Sequence, residues 1–253
     1  MKLSIVYNVY NSHGAVSRQL KYLNKMNLPD DIEIIVVDDC SNPPLTGECK
    51  NLRIVRTENK QAWTLAQARN LGAREAKGDY LLMTDIDHIL SKEAIMDSYR
   101  YEGYKMIFPR YLAVLLEDGT LTQDKETMDL WGAGNYPRKN YYASYHGNTW
   151  CMPRDLFWTL DGYNEKASSK RHHPRKGRGI DGKFNSMWNR WAKPQQIKID
   201  IGSPIYMFPI GRYHEDYDLN PHGLFHELSY DPIPQPDKRN NIKNKIIIFM
   251  LLI

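Results

Sequence analysis

The segment IEIIVVDD, residues 32–39, limits the fold more than any other stretch of this chain. Its apolar side chains fall on odd and even positions alike, so a strand built from it turns apolar groups to both faces. Such a strand needs cover on both sides, which is the situation of a parallel sheet held between two layers of helices. The surrounding sequence agrees. Apolar runs near 3–9, 33–38, 52–56 and 79–84 alternate with helix-like segments near 14–26, 62–77 and 91–101. A strand–helix–strand rhythm with right-handed crossovers predicts an open α/β sheet over roughly the first 100 residues.

The 253 residues, 42% hydrophobic and 25% charged, suit one large globular domain or two small ones. Cys40, Cys49 and Cys151 follow no paired metal-ligand spacing, which excludes a zinc ribbon and predicts reduced thiols in a cytoplasmic compartment. The opening MKLSIVYNVYN lacks the continuous apolar core of a signal peptide and reads as a first strand. Near the end, KNKIIIFMLLI carries eight consecutive apolar residues, where a spanning helix needs roughly 20. Packing on the body, a disordered end, or peripheral membrane contact aided by Lys243 and Lys245 all remain open for it.

Ligands of open α/β sheets bind beyond the carboxyl ends of the strands, and three of these strands end in polar residues: Asn8 to Asn11, Asp38 with Asp39, and Asp85 with Asp87. They are expected to meet at one crevice. Residues two apart on a strand point the same way, so Asp85 and Asp87 would bring two carboxylates to one point. A divalent cation with a preference for oxygen ligands relieves their repulsion and leaves positions for phosphate oxygens. A capped turn before a helix at Ser91 would account for one carboxylate but hardly both. Neither a Rossmann glycine turn nor a P-loop occurs, so the metal would have to take the phosphates. His88 would face away from Asp87 if the strand continued.

Four motifs, in order, resemble the GT-A glycosyltransferases and particularly the inverting family two: VYN closing the first strand, EIIVVDDCS, ARNLGAREAKGDYLLMTDID, and LDGYNE. The resemblance spans residues 3 to about 215. It implies a GT-A fold, a Rossmann-like open mixed sheet flanked by helices, in a single domain over 1–235. Residues 1–105 would bind the nucleotide sugar, residues 106–235 would carry the acceptor site and the base, and 236–253 would form a polar and then apolar tail.

The resemblance also implies roles. Tyr10 and Asn11 would line the nucleobase loop, Asp39 would accept the uracil imide hydrogen, and Asp38 would support that loop. Arg69 would turn toward the nucleotide, or else sit on a solvated or salt-bridged helix face. Asp85 would face the donor and, with Asp87, hold Mn2+ or Mg2+; His214 would be the third ligand, with His222 and His226 as competitors. Gly147 and Asn148 would lie beside the donor sugar. Asp181 would be the catalytic base, with a plain helix cap as the alternative.

These roles imply a metal-dependent hexosyltransferase that moves a sugar from a UDP-type donor to an acceptor hydroxyl with inversion, retention staying open as the alternative. The acceptor would be a glycan, or a nucleic acid. Trp150, Trp158, Trp188 and Trp191 would serve the acceptor or the core. The basic stretch from Lys166 to Arg178 reads as a lid or anion-binding loop, or as a solvated surface loop. Two rival classes remain: a nucleotidyltransferase-like enzyme, and a non-catalytic glycan- or nucleic-acid-binding relative.

Overall fold

The computed structural model describes residues 1–59, 64–131, 133, 141–143, 145, 147–168 and 180–209. Strands β1 (Leu3–Val9), β2 (Ile32–Asp38), β3 (Leu52–Arg56) and β4 (Tyr80–Asp85) alternate with helices α1 (His13–Lys25), α2 (Leu65–Glu75) and α3 (Lys92–Arg100). All four strands are parallel, in the order β3-β2-β1-β4. The predicted rhythm is therefore present, with element ends displaced by a few residues at most.

After β4 come β5 (His88–Ile89), β6 (Met106–Ile107), β7 (Arg110–Leu112), the hairpin of β8 (Val114–Leu115) and β9 (Leu121–Thr122), and helix α4 (Lys125–Leu130). β10 (Trp150–Pro153) leads into α5 (Arg154–Thr159), α6 (Glu165–Ser168), α7 (Ile180–Ala192), β11 (Asp200–Ile201) and β12 (Ile205–Met207). β10 joins the sheet antiparallel to β4, and β6 and β11 extend it, giving a mixed seven-stranded sheet.

Burial follows the two-residue period of a strand. On β2, Ile32, Ile34 and Val36 enter the core shared with α1 and α3, while Ile35 and Val37 enter the opposite core under α2, α5 and α7. Helix α2 lies close on the sheet because Gly72 has no side chain there. A Cβ at Gly72 would stand 2.4 Å from Val6 Cγ1 and 2.9 Å from Val37 Cγ2.

The second core is strongly aromatic. The Trp150 ring stacks at 5.3 Å on Phe184 and 5.6 Å on Phe157, and Tyr163 lies 4.8 Å from Phe184. Trp150 and Trp188 are fully buried, so the core takes these two, while Trp158 and Trp191 pack at its margin. Cys40, Cys49 and Cys151 are free thiols, and burial pushes the Cys151 thiol up to about 12. Among the described residues no helix is long and apolar enough to cross a membrane. The tail at 236–253 lies outside them.

Candidate active site

Register brings the polar strand ends together. Asn8 of β1 stands beside Asp85 of β4, and Val9 beside Asp38 of β2, so all three ends share one edge of the parallel sheet.

Two loops are laced over that edge. Asp38 is buried and accepts the backbone N–H of Ser41 at 2.7 Å and of Leu45 at 3.1 Å, while Arg56 Nη1 donates to its Oδ2 at 2.5 Å. It holds the loop after β2 in shape. Asn11 adopts a positive φ of 48°, a conformation that Asn tolerates better than most residues. Its N–H donates to Ser41 Oγ at 2.9 Å and its Oδ1 accepts from the Asn42 N–H at 2.7 Å, tying the β1 loop to the β2 loop. Tyr10, half-buried, accepts on its carbonyl from Ser12 Oγ at 2.9 Å. Asp39 is buried, and its Oδ1 accepts the hydroxyls of Thr57, at 3.1 Å, and Thr64.

Arg69 on α2 stands at the centre of the cluster and is wholly inaccessible to solvent. Its Nε donates to Asn8 Oδ1 at 3.2 Å, Nη2 donates to Asp85 Oδ1 at 2.7 Å, and Nη1 donates to Asp181 Oδ1. The guanidinium also sits 4.9 Å above the Tyr163 ring. Burial opposes the charge, but the carboxylates of Asp85 and Asp181 outweigh it and hold Arg69 well above its usual range. One cation therefore bridges an acid of the sheet and an acid of a later helix. The second oxygen of Asp85 accepts from Asn148 Nδ2, so both of its oxygens are engaged.

The chain does not continue as a strand through Asp87. β4 stops at Asp85, residues 86 and 87 turn, and β5 starts at His88. The expectation that His88 faces away from Asp87 is corrected by this turn: ligand atoms of Asp85, Asp87 and His88 lie within 4.8 Å of one another. The His88 ring is itself occupied. Arg110 Nη1 lies 2.9 Å from Nε2, and an arginine can only donate, so Nδ1 carries the proton and donates to Thr149 Oγ1 at 2.6 Å. The two carboxylates, oxygen donors at one point, fit a hard divalent cation better than the imidazole does.

Asp181 occupies the first turn of α7, inside the helix rather than at a cap, where the N-terminal dipole favours its charge. Its Oδ1 is held by Arg69. Among the described residues its Oδ2 makes no hydrogen bond, and the side chain is 27% exposed. One turn on, Asn185 packs against Gly147, where a Cβ would lie 2.2 Å from Asn185 Nδ2. Asn185 Oδ1 accepts from Lys105 Nζ at 2.7 Å.

Sequence reasoning did not single out Lys105, Asn185 or Tyr163 as site residues. Tyr163 lies inside the LDGYNE motif, and Asn185 lies one helical turn after Asp181; both were signals in plain view. Lys105 gave none, since a lysine ahead of a short apolar run ordinarily reads as solvated. His214, His222, His226 and the basic stretch at 169–179 lie outside the described residues.

A mixed sheet with laced loops and paired acids at the carboxyl edge of its parallel strands defines a GT-A fold. The chain matches the family described as Glycosyl transferase family 2 over residues 4–160, and it belongs to that family. It is 29% identical over 105 residues to the poly(ribitol-phosphate) beta-N-acetylglucosaminyltransferase TarS of Staphylococcus aureus, covering 39% of this chain and 18% of that one. An uncharacterized glycosyltransferase of Haemophilus influenzae is 35% identical over 94 residues, covering 36% of this chain and 31% of its own length. This chain thus spans less than a third of either relative. The crystal structure of S. aureus TarS 1–349 in complex with UDP-GlcNAc superposes with a TM-score of 0.51 at 17% identity, covering 82% of this chain and 58% of that one.

Proposed function

We propose that this chain transfers a sugar from a nucleoside-diphosphate donor, UDP in the first instance, to an acceptor hydroxyl with inversion at the anomeric carbon. The observation that carries the reading is the pair of acids, Asp85 and Asp181, held on one buried guanidinium where the sheet opens. Asp181 Oδ2 takes the proton of the acceptor hydroxyl. The acceptor oxygen bonds to the anomeric carbon as the bond from that carbon to the diphosphate oxygen breaks, and the nucleoside diphosphate leaves with the electron pair.

Asp85 and Asp87 would hold Mn2+ or Mg2+, which when bound supplies positive charge to the departing diphosphate. His214 stands as the third ligand on the family resemblance. Tyr10, Asn11, Asp38 and Asp39 form the nucleotide side, and Gly147 and Asn148 the sugar side. A glycan or polyol-phosphate hydroxyl is the acceptor favoured by the name of the Staphylococcus aureus relative.

The test is thermal unfolding with UDP, GDP, UDP-GlcNAc or UDP-glucose, each with and without Mn2+. A ligand that binds only the native state raises the midpoint. A rise with UDP compounds that requires Mn2+, together with UDP release from the sugar nucleotide, is the expected result. No response to any nucleotide would refute the reading and favour a non-catalytic binding module.

A further inference from the structure

Lys105 is buried to 1% exposure, just ahead of β6, and has no carboxylate at salt-bridge distance among the described residues. Its ammonium makes one hydrogen bond there, to Asn185 Oδ1 at 2.7 Å, and lies over two rings of α7, Phe184 at 5.5 Å and Trp188 at 5.3 Å. A lysine donates only, so the amide oxygen of Asn185 must face it and the amide nitrogen must face Gly147. An apolar side chain would fill this place without the penalty of burying a charge.

Asp181, Phe184, Asn185 and Trp188 are spaced along one face of α7, so Lys105 grips the helix that presents Asp181, one turn behind the carboxylate. Gly147, against Asn185, leads directly to Asn148, which holds Asp85.

Resting on the reading of Asp181 as the base, we propose that Lys105 is a positioning residue for it, fixing the first turns of α7 through Asn185 and placing a second positive charge behind the carboxylate. Burial pulls the Lys105 ammonium down to about 8, and Asp181 is the charged group that acts against this. From β11, Asp200 meets Lys105 only through the backbone, its N–H donating to the Lys105 carbonyl at 2.9 Å, and its carboxylate accepts from Tyr101. Arg69 is the cation paired directly with Asp181.

The test uses UDP release from UDP-GlcNAc and UDP-glucose with Mn2+, water serving as acceptor, in the wild type, Lys105→Met, Asn185→Leu, the double variant and Asp181→Asn. Donor dissociation constants are read in parallel from thermal shifts. Lys105→Met and Asn185→Leu are expected to bind donor as the wild type does while losing at least about tenfold in turnover. The double variant should be no worse than either single one. Wild-type turnover should fall above about pH 8, and Lys105→Met should lack that alkaline fall.

Lys105→Met turning over within about twofold of the wild type with the same alkaline fall overturns the proposal, as do additive losses in the double variant. Should Lys105→Met not fold, unchanged turnover in Asn185→Leu overturns it equally. Turnover retained by Asp181→Asn, or absent from the wild type, sinks the base assignment itself; an inactive Asp181→Asn beside a fully active Lys105→Met sinks only the role of Lys105.

Discussion

Arg69 shows how much of this site hangs on one side chain. Arginine can bridge two acids because its planar fork offers separate donors on Nη1 and Nη2, which a lysine cannot reproduce. Arg69→Met should destabilise the fold by about 3–5 kcal/mol, since it leaves two partly buried carboxylates without their shared cation. Most of that loss should return in the triple variant that adds Asp85→Asn and Asp181→Asn; urea midpoints at constant m-value measure both. Asp181→Asn alone is expected to keep the fold and donor affinity while turnover falls by about 10² or more, read as a kcat loss without a KM change. Asp38, Asp39, Arg69, Asp85 and Asp181 could each be picked from motifs. That Arg69 joins Asp85 to Asp181 could not, because the partners are 16 and 112 residues away and no local period encodes such a pairing. Lys105 escaped for a different reason: it is the rare lysine that trades solvation for two aromatic faces and an amide.

At the level of elements, the strand–helix alternation was legible because strands buried on both faces are apolar on odd and even positions alike, as over Ile5–Tyr7 of β1 and Ile34–Val37 of β2. The turn at residues 86 and 87 was not legible. Asp85 and Asp87 read equally well as two positions on a strand, whereas β5, paired with β12, sets His88 beside them. Helix α2 matters because it carries Arg69, and its height above the sheet is set at Gly72. Gly72→Ala would push a methyl group into Val6 and Val37, whose branched side chains have little room to yield. The expected cost is about 1–3 kcal/mol of stability by urea unfolding. Turnover should fall further than stability alone explains, since lifting α2 displaces the guanidinium from both acids.

For the whole molecule, the buried lysine makes stability rise with pH on the alkaline side of neutrality. The folded value of Lys105 is about 8, below the ordinary 10.5, so the charged form is penalised in the native state. That penalty is fully present below about pH 8 and disappears as pH rises toward 10.5, because there the unfolded chain holds the extra proton. Relative to Lys105→Met, the wild type should gain about 3 kcal/mol across this window, measured by chemical denaturation at pH 7 and pH 10.5. The mixed sheet, with four contiguous parallel strands first and the reversed strand β10 inserted beside them later, also sets an order of arrival during synthesis. Asp85 follows Arg69 by 16 residues and Asp181 by 112, so at a ribosome's pace the second acid emerges roughly 5 to 20 seconds after the guanidinium. A nascent chain can therefore close the Arg69–Asp85 pair with material already in hand. The last acid then docks onto a cation that is waiting for it.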